Sequence, residues 1–548
     1  MTPISLVPLL ILLASSLTPS GALPNLANTT IQLESGPARG FQNTYRSEVA
    51  TWYGVPYGAS TAGKNRWRPP QPVEPWNKTR YFDTFGDACP DISLSSLGPG
   101  SDSSFSQVST GTSEYDVSED CLNVNIWSGA NTTHDALPVY VWYHPAYATG
   151  NDAMFDGSAL ADKGLVVVVV NHRQSVMGFL VHPWLTEESD GQGSGNYAML
   201  DNLEVLKWVQ KNIRAFGGDP HRVTIGGQSA GSSHTNIMSM SNLTTGLFHG
   251  AIIESGIRFP NDTYLAEVAA VYQKLEVAET NGKNYTDSHN ITSLAQLRNA
   301  TLDELFTAYS SVAIPAVNVL DGYVMTKTYW QSLVDGYPND VPIITGNTHD
   351  ESGASTGEST TLEAWQQDAN GTYGVYGMAD EFFALYTAND SATAAAAHNA
   401  NATDTSVVGD WEFAKYWRAN MQSPFYTYFW THAPPGQSQG AYHESEIYYA
   451  FNSLEANTGR NNWTSVDTLI ADQMSSYWAN FIKHGNPNGV NGTTSTSGNL
   501  SYWAPTAEET PESATVFNLD EVCQSVRIAS PARIEFLQKY WGYQTDPY

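Results

Sequence analysis

In Gly227-Gln228-Ser229-Ala230-Gly231 a serine stands where a nucleophile would be useful. Val223-Thr224-Ile225 before it reads as a strand, and the small residues Ala230, Gly231, Ser232 and Ser233 read as the first turn of a helix. A strand that turns sharply into a helix leaves the Oγ of the residue at the bend exposed, as in a nucleophile elbow. The two glycines suit the bend because backbones there approach too closely for a Cβ. A serine hydroxyl attacks only when a base takes its proton, so the chemistry implied is acyl transfer with an imidazole partner. Five residues are a weak signal alone, since a Gly/Ser turn fits them too, and the surrounding elements have to decide.

Those elements are apolar runs with the look of buried strands. They are Pro138–Tyr143, Leu165–Val170, Arg222–Ile225, Gly250–Ile253, Pro342–Thr345 and Phe425–Trp430. The second is apolar throughout, as a strand covered on both faces must be. Between them, Met199 to Phe216 places Leu203, Leu206, Val209 and Ile213 on one helical face. Strands alternating with helices predict an α/β fold with a large, mostly parallel, doubly wound sheet. Two polar, helix-like stretches at about 260–315 and 355–420 read as insertions that wall a pocket. With no linker or internal repeat in view, residues 23–548 read as a single domain.

From about residue 30 onward the chain resembles the type-B carboxylesterases, a family of α/β-hydrolases. The resemblance rests on Gly54-Val55-Pro56-Tyr57, Arg66-Trp67, Ser118-Glu119-Asp120-Cys121-Leu122 and Asn171-His172-Arg173 with Gly178-Phe179. It continues through Gly195-Asn196-Tyr197, Leu200-Asp201, the elbow, Tyr477-Trp478 with Asn480-Phe481, and Gly485-Asn486-Pro487-Asn488-Gly489. The resemblance implies an α/β-hydrolase fold and a Ser-His-Glu triad. Ser229 matches the nucleophile, Glu351 in Gly346-Asn347-Thr348-His349-Asp350-Glu351 the acid, and His443 in Ala441-Tyr442-His443-Glu444 the base. The imidazole would take the Oγ proton and return it to the leaving group, while the carboxylate fixes the tautomer. His349 reads as a loop residue and His234 as a helix residue near the pocket. Asp350 and Glu444 read as structural or solvated carboxylates. By the same resemblance Arg66 pairs with Glu119 and Arg173 with Asp201. No metal or organic cofactor is expected.

The sequence departs from the family at the oxyanion hole. Where members carry three glycines, this chain has His144-Pro145-Ala146-Tyr147-Ala148-Thr149-Gly150, one residue short. Pro145 has no N–H to give. The expected donors are the backbone N–H groups of Ala146, Tyr147 and Ala230, with Ala146 and Tyr147 held in a glycine-type conformation at about 1–3 kcal/mol each. Gln228 stands where many relatives have glutamate, which argues against a cationic, choline-type substrate. Gln296 stands where a second family disulfide has a cysteine.

Composition sets the setting. The 548 residues are 41% hydrophobic and 12% aromatic, ample for a large core. A formal charge of -30, from 55 acidic and 25 basic residues, repels nucleic acid and anionic lipid and suits solubility in an acidic exterior. Ser5 to Leu17 is an apolar run followed by small residues at Ser20-Gly21-Ala22, the layout of a signal peptide over residues 1–22. Its n-region lacks Lys and Arg, so an uncleaved anchor is the other reading; no other run suits a stable membrane span. Fourteen Asn-x-Ser/Thr sequons point to a secreted glycoprotein with these asparagines on its surface: Asn28, Asn77, Asn131, Asn242, Asn261, Asn284, Asn290, Asn299, Asn370, Asn389, Asn401, Asn462, Asn491 and Asn499. In an oxidising compartment Cys89 and Cys121 are the natural disulfide, which leaves Cys523 as a buried thiol or, less simply, an intermolecular partner. In lipase members of the family this loop carries the lid, and here it offers little apolar surface to lipid.

The function that follows is a secreted serine ester hydrolase acting on small or medium soluble esters, of unspecified oligomeric state. The alternatives are a tailoring esterase, lactone hydrolase or acyl transferase on a secondary metabolite, an interfacial lipase, and a catalytically weak, cholinesterase-like binding protein.

Overall fold

The five residues Val166–Val170 show how the core is built. All are fully buried and they alternate: Val166, Val168 and Val170 join one apolar cluster, Val167 and Val169 the other. Each valine so buried contributes about 1.5–3 kcal/mol of transfer free energy. In this computed structural model the residues described are 26–91, 115–260, 272–311, 317–356, 359–490, 494–495, 498–506 and 510–544.

Among the described residues Val166–Val170 belongs to an eleven-stranded sheet. In chain order its strands are β1 (Phe41–Gln42), β2 (Ala50–Pro56), β3 (Asn123–Ser128), β4 (Leu137–Tyr143), β5 (Val166–Val170), β6 (Gly218–Gln228), β7 (Gly250–Glu254), β8 (Ile343–Thr348), β9 (Phe425–Trp430), β10 (Thr515–Leu519) and β11 (Gln524–Arg527). The spatial order is β11-β10-β9-β8-β7-β6-β4-β5-β3-β2-β1. All pairs from β10 to β5 are parallel, while β11 at one end and β3, β2 and β1 at the other are antiparallel. The six strands read from apolar runs are β4 to β9; the antiparallel margins carry weaker patterns and were not legible.

Helices cover both faces. On one side, α1 (Tyr197–Asn212) contributes Leu203, Leu206 and Val209, and α2 (Ala230–Met240) contributes Ile237 and Met238. The helix expected to run to Phe216 tightens into a 3₁₀ turn at Ile213–Phe216, closed by Gly217 at φ 78°. The stretch at 260–315 includes α3 (Leu275–Ser288), α4 (Leu294–Asn299) and α5 (Leu302–Ser311). The stretch at 355–420 includes α6 (Leu362–Thr372), α7 (Ala379–Leu385) and α8 (Ser391–Asn420). These last three pack with α10 (Pro531–Gly542) around Trp365, Phe382, Trp411 and Phe536. The other face of the sheet is covered by Ile470, Met474, Trp478 and Phe481 of α9 (Ser465–His484).

The expected pairs form. Arg66 meets Glu119 through two bonds of 2.6 Å, and Arg173 meets Asp201 at 2.6 and 2.9 Å. Arg66 also donates to the carbonyls of Arg298 and Ala300. The guanidinium thereby ties down the segment around Gln296, where the family's second disulfide is missing. Cys89 and Cys121 are bonded, and Cys523 is a buried thiol whose burial pushes its pKa up to about 11. A thiol in that state is a poor nucleophile.

The sequon asparagines sort by exposure. Asn28, Asn77, Asn131, Asn242, Asn284, Asn290, Asn299, Asn370, Asn389, Asn462 and Asn499 are exposed. Asn401 corrects the expectation: it is buried inside α8, and its Oδ1 accepts a bond from Tyr373 at 3.2 Å. A glycan there would have no room in the folded chain. Asn261, Asn491, the signal-peptide stretch 1–22 and most of the lid segment lie outside the described residues. Among the described residues no helix is long and apolar enough to cross a membrane.

Candidate active site

β6 ends at Gln228 and α2 begins at Ala230, so Ser229 is the whole turn between them. Its φ of 54° and ψ of -119° lie in a region that residues with a Cβ avoid. Such strain persists only where the surroundings impose it. Here the Ser229 N–H donates to the Glu254 carbonyl at 3.0 Å, and its carbonyl accepts from Ser233 N at 3.0 Å and Ser232 Oγ at 2.5 Å. The flanking glycines are sterically required. A Cβ on Gly227 would fall 2.3 Å from the Gly231 carbonyl, and one on Gly231 would fall 1.9 Å from the Tyr143 carbonyl. That second contact presses the elbow against the end of β4, where the loop of Ala146 and Tyr147 begins.

The expected acid and base arrive on loops from neighbouring strands. Glu351 follows β8, and His443 lies beyond β9. The loops are stitched together: Asp350 N donates to Ala441 O at 3.0 Å, and Ala441 N donates to the Asp350 carboxylate at 2.9 Å. Glu351 Oε2 then lies 2.5 Å from His443 Nδ1, while Glu351 Oε1 accepts from Thr348 N at 3.0 Å. Ser229 and His443 are both buried. Gln228, the residue before Ser229, brings its Nε2 within 3.3 and 3.4 Å of the two ring nitrogens of His443.

The electrostatics follow this geometry. Burial alone would raise the Glu351 pKa. The charge and hydrogen bond of His443, with Arg258 behind, outweigh it and hold the carboxyl at about 2. Burial likewise disfavours the His443 cation, but Glu351 prevails and the imidazole is held above its usual value. An ionised acid against a basic imidazole is the arrangement needed to stabilise an imidazolium as it forms. Three further carboxyls are buried nearby. Burial pushes Glu254 up to about 8 and Glu444 up to about 7, and raises Glu446 well above the usual range. Glu444 is therefore structural and buried, not solvated.

The loop expected to hold the oxyanion differs from expectation in one respect. Tyr147 has φ 63°, but Ala146 is not among the residues with positive φ, so the glycine-type strain falls on one residue instead of two. The loop is pinned on both sides. His144 Nδ1 lies 2.8 Å from Pro145 O, Gln174 donates to Ala148 O at 3.1 Å, and Asn171 accepts from Thr149 and Gly150 at 2.8 Å each. Tyr147 is 42% exposed, an aromatic residue on the surface side of the turn.

His234 sits on α2, as read from the sequence, and takes part in a buried stack. His144 and His172 are parallel at 4.3 Å, and His172 meets His234 edge-on at 4.7 Å. Burial holds His144 at about 4 and His234 at about 3, and puts His172 well below the usual range. His349 is a partly exposed loop residue paired with Asp350 at 3.0 Å. Sequence reasoning missed Arg258, which is buried and has its Nη2 3.5 Å from Glu351 Oε1. A lone arginine in Ser255-Gly256-Ile257-Arg258-Phe259 carries no motif that would have flagged it.

The profile of the carboxylesterase family matches residues 27–536. The chain is 34% identical over 485 residues to a fumonisin B1 esterase of Sphingopyxis macrogoltabida, covering 86% of this chain and 83% of that protein. It is 31% identical over 485 residues to an acylcarnitine hydrolase of Mus musculus, covering 84% and 82%. Among solved structures it superposes on a PNB esterase with a TM-score of 0.73 at 24% identity, covering 93% of this chain and 99% of that one. A carboxylesterase of Geobacillus stearothermophilus gives 0.71 at 24% identity, covering 94% and 100%. These two likenesses carry the fold, an α/β-hydrolase sheet, and the sequence matches carry the kinship. A match over nearly the whole length leaves one conclusion: this chain belongs to the carboxylesterase family and is a carboxylic ester hydrolase.

Proposed function

We propose that the chain hydrolyses small or medium soluble esters through Ser229, His443 and Glu351, by way of an acyl-enzyme. The observation that carries this reading is the 2.5 Å contact of Glu351 with His443, made while the preceding neighbour of Ser229 touches the same imidazole. In the first half-reaction His443 takes the Oγ proton as Ser229 attacks the ester carbonyl, and then gives it to the departing alcohol. In the second, His443 takes a proton from water as the water attacks the acyl group, and returns that proton to Oγ as the acid leaves and Ser229 is freed. The backbone N–H groups of Ala146, Tyr147 and Ala230 receive the oxyanion. Ala230 lies at the positive end of α2, which favours a negative charge there.

Several observations support a secreted enzyme: the apolar leader-like run, the disulfide, and eleven exposed sequons among the described residues. The substrates printed in the names of its relatives differ from one another, so they support an ester as the substrate without choosing its acid or alcohol.

Treating the protein with a fluorophosphonate probe and locating the adduct tests the proposal. Labelling at Ser229 that disappears in Ser229→Ala is expected; labelling that survives that change overturns it. Turnover of a short soluble ester should exceed turnover of an emulsified triglyceride, and the reverse order would favour an interfacial lipase.

A further inference from the structure

The two carboxylate oxygens of Glu351 face different partners, and only His443 belongs to the reaction sequence described above. Glu351 Oε2 faces His443, while Oε1 faces Thr348 N and the Arg258 guanidinium. Arg258 is itself fixed. Its Nε donates to Asn347 Oδ1 at 3.1 Å, Asn347 Nδ2 donates to Asp410 Oδ2 of α8 at 2.6 Å, and the Arg258 carbonyl accepts from Tyr329 OH at 2.9 Å. The result is a buried polar chain, His443–Glu351–Arg258–Asn347–Asp410, running from the base through β8 to the long helix.

We propose that Arg258 is a positioning residue of the triad: anchored through Asn347 to Asp410, its guanidinium fixes the Glu351 carboxylate toward His443, and its permanent charge keeps the base unprotonated to lower pH. The inference rests on the proposed roles of Glu351 and His443.

Three observations lead there. First, Glu351 is the most open member of the triad, with its side chain 17% exposed against 8% for His443. It lines a narrow crevice under α8 together with Arg258, Asn399 and Thr403. Thr348 N already holds Oε1, and Arg258 adds a charged contact to the same oxygen from the crevice side. Second, the groups that face the triad are otherwise mostly carboxyls. Glu444 and Glu446 lie on the histidine loop, Glu254 at the end of β7, Asp350 beside the acid on β8's loop, and Asp410 on α8. His349, paired with Asp350, is the remaining titratable neighbour on that loop. Each carboxylate that ionises stabilises the His443 cation and so raises the pH at which the imidazole can act as a base. The Arg258 cation opposes this and acts on Glu351 and His443 in the same sense, favouring an ionised acid and a neutral base. Third, the chain carries a net charge of -30, so the field at the site without a buried cation favours protonated histidine over a wider pH range.

The test compares pH profiles of kcat/KM for native protein, Arg258→Gln and Arg258→Lys, with p-nitrophenyl acetate as a substrate that does not titrate. Active sites are counted by fluorophosphonate labelling. The acid limb of kcat/KM reports the base of the free enzyme. In Arg258→Gln it should move upward by ~0.5–1 pH unit, and kcat per labelled site should fall while KM changes little. Arg258→Lys should return the limb most of the way. A purely structural arginine would lower thermal stability and the labelled fraction without moving the limb, and that outcome overturns the proposal. So does a lysine variant displaced as far as the glutamine one. Should Arg258→Gln fail to fold, Asn347→Leu reads the same network: it removes the acceptor that anchors the Arg258 guanidinium without changing a charge, so the limb moves upward by less than in Arg258→Gln, and an unmoved or downward limb overturns the assignment. Native protein that is not labelled at Ser229 sinks the triad reading itself; labelling with an unmoved limb sinks only the role of Arg258.

Discussion

The side-chain nitrogen of Gln228 lies 3.3 Å from Nε2 and 3.4 Å from Nδ1 of His443. A donor equidistant from both nitrogens sits against the ring instead of in line with either lone pair. The contact joins the elbow to the histidine loop without adding charge at the base. Replacing Gln228 by glutamate changes that, because a carboxylate in this buried place stabilises the imidazolium. The acid limb of kcat/KM in Gln228→Glu should rise by about 1 pH unit. The ratio of kcat/KM for a choline ester over its neutral isostere should also rise, by roughly tenfold, if the new carboxylate is ionised. Steady-state kinetics on the two esters from pH 4 to 9 decides; an unchanged profile and an unchanged ratio would show that the introduced group stays neutral.

The oxyanion loop makes a separate prediction about donors. Ala146 keeps an ordinary backbone, so glycine is not needed there, and Ala146→Gly should lower kcat modestly by loosening the turn. Ala146→Pro removes the N–H itself and should cost about 10²–10³ in kcat with little change in KM. Tyr147 carries the positive φ, and Tyr147→Gly should be neutral to stabilising by about 1 kcal/mol. A large gain in kcat from Ala146→Gly would mean that the hole is held in a poor geometry by the alanine.

The centre of the sheet and the elbow were legible because their signals are local, whereas Glu351 and His443 came from the family resemblance and the structure brings them to 2.5 Å of each other. Uniformly apolar runs such as Val166–Val170 permit few alternatives, and the elbow needs glycines where Tyr143 and Gly231 collide. The antiparallel margin was not legible: β2 mixes Thr51, Trp52, Gly54 and Pro56, and its pairing with β3 carries an irregularity between Trp52 and Val55. Arg258 was missed for a different reason. Its role depends on Asn347 and Asp410, 89 and 63 residues along the chain in successive steps, and no spacing rule connects them. Asn401 shows the converse error, since a three-residue sequon says nothing about which face of a helix it lies on.

The stitch between the two triad loops predicts a coupled defect. Asp350 accepts from Ala441 N, and Gly440, at φ 73°, passes so close that a Cβ would fall 2.2 Å from the Asp350 carboxylate. Gly440→Ala therefore has to displace Asp350 or the loop that carries His443. Asp350→Ala and Gly440→Ala should each lower kcat about 10–100-fold while the protein stays folded, since small displacements of a catalytic group have effects of that size. The double variant should cost less than the product of the two, because both act on one contact. Fully multiplicative losses would separate the two positions and remove the stitch.

Six buried groups near the elbow and the histidine loop set opposing trends of stability with pH. His144, His172 and His234 have folded pKa values below 6.5, so the unfolded chain binds more protons there, and their contribution is lost as pH falls from about 6.5 toward their folded values of about 4 and 3 for His144 and His234. Glu254, Glu444 and Glu446 have folded values raised above 4.5, so the unfolded chain releases protons first, and stability is lost as pH rises from about 4.5 through about 7 to 8. Between about pH 4.5 and 6.5 the two sets oppose each other, three protons against three, and their sum is nearly flat. Below that window the histidines act alone, and above it the carboxyls do, each group contributing at most about 1.4 kcal/mol per pH unit. Glu351, held at about 2, keeps its full contribution above about pH 4.5 and loses it progressively as pH falls from there through about 2, adding to the loss from the histidines. Self-repulsion of a surface at -30 adds to the loss on the alkaline side. The melting temperature should accordingly be highest on the acidic side of neutrality, near pH 5–6, and fall toward pH 8. His172→Phe, which removes one of the three histidines, should flatten the acid side and leave the alkaline side unchanged. Calorimetry from pH 3 to 9 reads both effects, and a melting temperature that climbs steadily to pH 8 would contradict the assignment of the buried carboxyls.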